Sequence, residues 1–433
     1  MKRRDFFKKA GQGVLGTGLG LLVLPRWAHG AAPSDQIVSG HIGVGGMGGS
    51  HVRWFLGHKD VRVDAICDVD KRRAGEKLGW AHRKYQDTHA KLYTDFRQVL
   101  DRKDIDAIST ATPDHWRALV VTHAFQAGKD VYAEKPLCHN WREAKAMLTM
   151  GHRHARVFQL GTQIHAGHNY HRVVELVRSG ALGKIHTVHV WMGGGAGVRK
   201  YTPPPPCPKE LDYDMWLGPA PKRPYHPARN HFTFRYFLDY SCGVFADFWC
   251  HISDVAFWAL DLGAPTKIVT RGELQTQGMY TAPKWVELDM DFPDDGVKYH
   301  WTTGRPKQFT GPVGGGIGCR FVGERGWLMC DYGRRTVCID GHESRDLNEV
   351  PVSIPRSPGH QRNFLDCVKT RGLTESNLPY AVNMIQPLFF GRIGLLTGCR
   401  PLTWNNAKGE FVGDPEANRL LGRVYRQPWA LPV

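Results

Sequence analysis

Between residues 37 and 160, apolar residues fall into short, nearly continuous runs separated by stretches of helical period. Residues 37–44, 61–67, 105–111, 130–133 and 157–160 read as buried strands, being short and rich in Val, Ile and Ala. Residues 49–56, 95–100, 117–127 and 141–154 read as helices, with Asp95 as an N-cap and Gly128 as a stop. Strands and helices in this alternation make an α/β unit with a doubly wound parallel sheet, spanning residues 35–164. From residue 165 the rhythm changes. A helix at 171–179 and a strand at 184–192 lead into a Gly- and Pro-rich insertion, which reads as a rigid crossover. A helix follows from 243 to about 260, and beyond Pro265 the apolar period drops to two. Strands at 268–274, 285–292, 297–303, 319–322, 327–331 and 336–339 predict a second, α+β domain over 165–420 with a mainly antiparallel open sheet. Helices at 359–370 and 380–396 close it, and 421–433 form a tail.

Composition adds little to the fold but bears on destination. The chain has 433 residues, 42% hydrophobic and 23% charged, ordinary values for a globular protein. Its net charge of +16 invites a nucleic-acid reading. The basic excess is spread along the chain, however, with no long Lys/Arg block and no zinc-finger spacing, so nucleic acid is not the expected partner. The first 30 residues hold six basic residues and one acid. Lys2-Arg3-Arg4-Asp5-Phe6-Phe7-Lys8-Lys9, an apolar run from Val14 to Leu24 and the small residues near Ala28 predict a signal peptide over residues 1–31. The paired arginines resemble a twin-arginine signal, which implies export by that machinery to the periplasm or another extracytoplasmic space. The ten cysteines form no Cys-x-x-Cys.

The chemistry-bearing residues gather at the carboxyl ends of the first five strands, the edge where open α/β sheets bind ligands. The first strand runs into Gly43-Val-Gly45-Gly46-Met47-Gly48 ahead of a helix. This is the Gly-x-Gly-x-x-Gly turn of a Rossmann dinucleotide site: a tight turn, a close approach of backbone to pyrophosphate, and close helix–strand packing. The second strand ends at Asp68, which is placed for the ribose hydroxyls of NAD; the other use for an acid at such a junction is an N-cap. Lys71, Arg72 and Arg73 just beyond leave NADP open. The fourth strand stops at Glu134-Lys135-Pro136, because Pro136 fixes its own φ and drives Lys135 from helical geometry. Lys135 on that rigid turn suits stabilisation of a developing alkoxide. In the second domain Asp247 and His251 stand at i and i+4 on one helix face, with Asp254 continuing it. A carboxylate one turn from an imidazole suits proton transfer to or from a hydroxyl, the alternative being a capped helix with a satisfied core histidine. A metal centre is not expected, since only His226 and His231 offer further ligands.

The glycine turn, Asp68, Thr112-Pro113 with His115, Glu134-Lys135-Pro136 and Gly161-Thr-Gln163 resemble the Gfo/Idh/MocA oxidoreductases, across essentially all of the chain after the signal. The resemblance implies a nicotinamide cofactor held along Gly43 to Gly48, Asp68, Thr112, His115, Glu134, Lys135 and Gln163. It also implies Lys135, Asp247 and His251 as the catalytic group. The aromatic residues Trp216, Tyr225 and Trp249 become candidates for contact with a carbohydrate or polyol. The expected activity is NAD(P)-dependent oxidation or reduction at a CH–OH group of a sugar, polyol or glycoside. A second reading within the fold is a glycoside hydrolase that oxidises its sugar transiently and retains NAD, although the mid-chain His-Gly segment of that group has no evident counterpart here. A third is a sugar-binding or assembly protein without turnover, which the intact Lys135, Asp247 and His251 argue against. One face of the second sheet is expected to pair with a copy of itself in a homo-oligomer.

Overall fold

The computed structural model describes residues 36–432. The proposed signal segment lies outside the described residues. The first sheet has six strands: β1 (Ile37–Ile42), β2 (Val61–Cys67), β3 (Lys91–Tyr93), β4 (Ala107–Thr110), β5 (Asp130–Glu134) and β6 (Phe158–Gly161), in the order β3-β2-β1-β4-β5-β6. Every neighbouring pair is parallel. The order reverses beside β1, so the loops after β1 and β4 part there and leave a crevice at the carboxyl edge. Helices α1 (Gly46–Leu56), α2 (Lys71–Tyr85), α3 (Phe96–Asp101), α4 (Asp114–Gln126) and α5 (Trp141–His154) complete the crossovers. Except for the edge strand β3, the strands are buried on both faces, β5 along its whole length, which is why they lack alternation.

The remaining chain builds a ten-stranded sheet. Helix α6 (His168–Arg178) precedes β7 (Ile185–Met192), and the crossover holds the short helix α7 (Tyr213–Leu217). Helix α8 (Gly243–Leu260) is followed by β8 (Lys267–Leu274), β9 (Pro283–Phe292), β10 (Val297–Thr303), β11 (Ile317–Gly323), β12 (Gly326–Cys330), β13 (Arg335–Ile339) and β14 (His342–Ser344). After α9 (His360–Thr370) and α10 (Leu378–Leu396) come β15 (Leu402–Asn405), β16 (Glu410–Phe411) and α11 (Pro415–Arg419). The order is β14-β13-β12-β11-β7-β10-β9-β8-β15-β16. Pairing is antiparallel except between β10 and β7. Strand β9 alternates buried and partly exposed residues, so one face is packed and the other is not. The packed face lies under α8, whose Phe245, Trp249 and Ile252 join Leu288, Tyr299 and Trp301 of the sheet in one core.

Two features of the packing were not visible as periodicity. Helix α9, far along the chain, packs on the first sheet: Phe364 and Leu365 share a cluster with Phe55, Val63 and Tyr132. Gln159 of β6 donates to the carbonyl of His360 at 2.6 Å. All ten cysteines are free thiols, eight of them buried. Among the described residues no helix is long and apolar enough to cross a membrane.

Several histidines are buried as neutral rings. His41 sits between the hydroxyls of Ser39 and Ser109, and burial pulls its pKa to about 3. Burial does the same to His115, to about 3, and to His360, to about 4. In the unfolded chain these rings titrate near 6.5. Below that pH the unfolded state binds more protons than the folded one, so stability rises with pH across this window. Stability is therefore expected to be full above about pH 6.5 and to fall, by several kcal/mol, as pH drops toward 4. Chemical denaturation at pH 7, 6, 5 and 4 checks this; a flat profile contradicts neutral burial.

Candidate active site

Strand β5 ends by bringing Glu134 and Lys135 to the carboxyl edge, and the Lys135–Pro136 peptide is cis. The ammonium of Lys135 reaches the first turns of α8, where it donates to Oδ1 of Asp247 at 2.6 Å and to the Asp247 carbonyl at 3.0 Å. A contact across 112 residues thus ties the two sheets' units together at the mouth of the crevice. The other carboxylate oxygen of Asp247 accepts from Nε of Arg235 at 3.0 Å. Burial opposes ionisation of Asp247, but Lys135 and Arg235 hold its carboxyl below the usual range. Arg235 lies in a 3-10 turn, Thr233–Tyr236, with its guanidinium over the rings of Phe232 and Phe234.

Glu134 is held as firmly. Oε1 accepts from His51 at 3.1 Å and from the amide of Gln163 at 2.8 Å, and Oε2 accepts from the Lys135 backbone at 3.2 Å. Burial opposes its charge, while His51 and Lys135 keep its carboxyl below the usual range. Gln163 also donates to the Tyr132 hydroxyl, so it positions Glu134 from behind.

His251 stands one turn beyond Asp247, its ring 5.6 Å from that of Phe248 and 5.9 Å from that of Tyr332. Its Nδ1 is buried with no hydrogen-bond partner, while its backbone carbonyl accepts from the Tyr170 hydroxyl at 2.7 Å. Burial, reinforced by the nearby Lys135 charge, lowers its pKa to about 4, so the ring is neutral at pH 7. Asp247 does not bond the imidazole one turn away: its carboxylate is taken by Lys135 and Arg235 instead. Asp254 turns away, accepting from His165 at 3.0 Å and from the Tyr380 hydroxyl at 2.5 Å.

A cavity of about 390 Å³ runs from the glycine turn to Lys135 and Asp247. Gly43, Gly45, Gly46 and Met47 line one end, then Asp68, Thr112 and Glu134. Gly43 has a φ of +75°, the tight turn itself. A Cβ on Gly46 would meet nothing within 4 Å, and one on Gly45 only the Arg73 guanidinium at 3.1 Å, so the turn presents bare backbone to open space. A Cβ on Gly48 would fall 1.9 Å from the Gly43 carbonyl, the close helix–strand contact that only glycine permits. Asp68 accepts from the backbone of Val44 and Asp70, at 2.8 and 2.9 Å, and burial raises its pKa to about 6. The N-cap of α2 is Asp70, which leaves Asp68 on the cavity wall. The residues present fit a dinucleotide: backbone and Arg73 for the pyrophosphate, Asp68 for a ribose.

Other expectations need correcting. Trp249 is fully buried, packs on Trp301 at 5.3 Å and donates to the Met384 carbonyl at 2.8 Å, so it is core and touches no substrate. Tyr225 packs edge-on against Tyr213 at 5.2 Å and does not line the cavity. His115 is buried behind the wall, bonded to the Trp216 carbonyl at 3.1 Å; Trp216 itself reaches the cavity. His226 bonds the Thr202 carbonyl and His231 pairs with Asp70. Among the described residues no group of three or more metal-ligating side chains is placed to hold an ion. Arg235 and Tyr332 were not singled out from sequence. The signal for Arg235 is its place in the aromatic run Phe232-Thr-Phe-Arg-Tyr236 just ahead of α8. Tyr332 follows β12 with no local pattern to mark it.

Residues 38–162 match the Gfo/Idh/MocA oxidoreductases by their NAD-binding Rossmann fold, and residues 168–307 match the C-terminal alpha/beta domain of the same proteins. The chain belongs to the Gfo/Idh/MocA oxidoreductase family. Its first domain is accordingly an NAD-binding domain. A glycosyl hydrolase family 109 protein from Shewanella baltica is 26% identical over 201 residues, 42% of this chain and 44% of the relative. The chain thus spans less than half the length of that curated relative. Among solved structures, aldose-aldose oxidoreductase from Caulobacter crescentus, complexed with glycerol, superposes with a TM-score of 0.61 at 16% identity, over 85% of this chain and all of that one. The WlbA dehydrogenase from Bordetella pertussis, in complex with NADH and UDP-GlcNAcA, gives 0.61 at 17% identity, over 86% of this chain and 99% of that one. At these identities the Gfo/Idh/MocA likeness to solved structures is one of fold.

Proposed function

We propose that this Gfo/Idh/MocA protein interconverts an alcohol and a carbonyl on a sugar, polyol or glycoside. The observation that carries the reading is the 2.6 Å contact of Lys135 with Asp247 at the end of a cavity that begins at the glycine turn. Bound NAD supplies the two-electron acceptor or donor. Lys135 has three donors, two of them used on Asp247, and the third is left for the substrate oxygen. As oxidation proceeds that oxygen gains negative charge, which the fixed ammonium stabilises. His251, neutral at pH 7, takes the hydroxyl proton. Asp247, itself fixed by Arg235, holds the ammonium in place. With the ring pKa near 4, the acid limb of kcat/KM is expected near pH 4, well below an ordinary imidazole's. The test is purified protein with NAD and a panel of sugars, polyols and glycosides; turnover unaltered in His251→Ala excludes the assignment of the base.

The Tyr332 hydroxyl is buried without a partner beside His251. It is a free donor for a substrate hydroxyl, and the fold does not depend on it. Tyr332→Phe is expected to lower kcat/KM about tenfold, the value of one hydrogen bond, and to leave the melting temperature unchanged. Steady-state kinetics beside a thermal melt separate the two effects.

A second reading is favoured by the likeness to a glycosyl hydrolase family 109 protein. The same three residues would then oxidise a glycoside transiently and restore it after the aglycone leaves. Release of aglycone without accumulation of NADH distinguishes this from a dehydrogenase. The proposal also places the protein outside the cytoplasm, on the strength of the basic start and apolar run at residues 2–24. It includes a homo-oligomer formed sheet to sheet. The outer face of β8–β10 carries Arg271, Glu287, Asp289 and His300, joined by ion pairs, so that interface would be polar.

A further inference from the structure

A second cavity, of about 130 Å³, opens between the start of α5 and the C-terminal half of α10. It has a third of the volume of the main cleft, too little for a nucleotide. Asn140 and Arg423 contribute to its lining, as does one face of α10 on which Arg392 stands among Phe389, Ile393 and Leu396. Asn140 caps α5, its Oδ1 accepting from the Glu143 backbone at 3.1 Å. Its Nδ2 is buried and has no partner, in a residue only 6% exposed. Nη1 of Arg423 is buried and unpartnered as well, its other nitrogens going to Glu143 and to the His115 carbonyl. Arg392 spends its Nη1 and Nη2 on the carbonyls of His139 and Leu238, at 2.6 and 3.1 Å.

The charges do not balance. Glu143 ion-pairs with Arg423 and also accepts from the Tyr425 hydroxyl and the His139 backbone, which fills its carboxylate. Among the described residues no carboxylate forms an ion pair with Arg392. Burial first, and then the neighbouring Arg423 charge, lower the pKa of Arg392, and Cys242, Glu143 and Asp114 offset this only in part. Two unpartnered donors and a guanidinium with no ion pair thus belong to side chains that line one small space, beside the aliphatic and aromatic side chains of α10.

We propose that this cavity is a binding site for a short-chain monocarboxylate, the carboxylate on Asn140, Arg392 and Arg423 and the alkyl end against Ile393 and Leu396. A fully hydrated oxyanion such as sulfate would waste the apolar wall, and a neutral ligand would leave Arg392 uncompensated. The site lies outside the catalytic group and does not depend on the reaction assigned to it. It does touch the same segment: Arg392 clamps the carbonyl of His139, four residues beyond Lys135.

The experiment titrates the full chain with acetate, propionate and butyrate, and in parallel with sulfate and phosphate, by calorimetry and ligand-observed NMR. Saturable binding that strengthens from acetate to butyrate is expected. Asn140→Asp keeps the capping oxygen but turns the free donor into a charged acceptor, and it should weaken butyrate at least about tenfold while the protein stays folded and binds NAD as before. Leu396→Trp fills the apolar end from a partly exposed position and should abolish butyrate binding without altering any charge. No saturable carboxylate binding overturns the proposal, as does binding of sulfate or phosphate in preference. Carboxylate binding that both variants leave intact places the ligand elsewhere and overturns it equally.

Discussion

Lys135→Ala is expected to lower kcat by about three orders of magnitude while the protein remains folded. One preorganised donor at a developing oxyanion is worth ~10²–10³ in rate, and Lys135 also contributes the charge that offsets Asp247. The variant leaves Asp247 with Arg235 as its remaining ion pair. Arg235 keeps that carboxylate compensated, so unfolding is not expected, but the side chain loses the partner that fixes it toward β5. Lys135→Arg distinguishes charge from geometry. The guanidinium retains the charge but cannot place a single donor where the ammonium sat, so it should recover stability and little activity. Calorimetric NAD affinity within a few-fold of wild type in both variants shows that the loss lies in the chemical step. A kcat reduced by less than tenfold in Lys135→Ala removes the lysine from the mechanism.

Trp249→Ala is expected to destabilise the protein by about 3–5 kcal/mol, the cost of emptying a large buried aromatic site. Trp249 has no exposed surface, packs on Phe245 and Trp301, and donates its ring nitrogen to the Met384 carbonyl. Removing it opens a cavity between α8 and the second sheet and loses the hydrogen bond to that carbonyl. Trp249→Phe keeps most of the volume and should cost less. Denaturant titration measures both. If Trp249 served the substrate, the alanine variant would instead lose affinity for sugar at unchanged stability, which contradicts its position in the structure.

Trp249 also shows where reading a sequence stops. The Asp247, His251 and Trp249 positions lie on one helix, and period alone says only that Trp249 points away from the Asp247 face. What occupies the space it points into is set by β9 and β10, up to some fifty residues later, and no local pattern carries that. The first sheet was legible for the opposite reason. Five of its six strands are buried on both faces, while the short, partly exposed edge strand β3 carries no such run and was not expected; its glycine turn needs φ above zero at Gly43 and no side chain at Gly48, and Pro136 ends β5 by its own ring. These are local demands, and local sequence states them. Asp68 and Asp70 illustrate the boundary between the two cases. Either acid could cap α2, and only the coordinates give the cap to Asp70 and leave Asp68 facing the cavity. Arg235 and Tyr332 were missed because they reach the site from a crossover turn and from the end of β12. Each is brought there by tertiary packing rather than by spacing from Lys135 or His251. Its place in the chain makes helix α9 a closing element of the second domain, yet Phe364 packs on the first sheet, again a long-range choice.

The central claim is that Lys135, Asp247 and His251 act on an alcohol beside a dinucleotide bound at Gly43–Gly48. The most direct measurement is single-turnover stopped flow: protein loaded with NAD is mixed with excess sugar, polyol or glycoside, and the absorbance of reduced nicotinamide is followed. The account predicts a burst of reduced nicotinamide with at least one compound of the panel, lasting in a dehydrogenase and decaying in a hydrolase, and absent in Lys135→Ala and His251→Ala. Reduction at wild-type rate in both variants, or NAD-loaded wild-type protein that reduces no nicotinamide with any of these compounds, would contradict it.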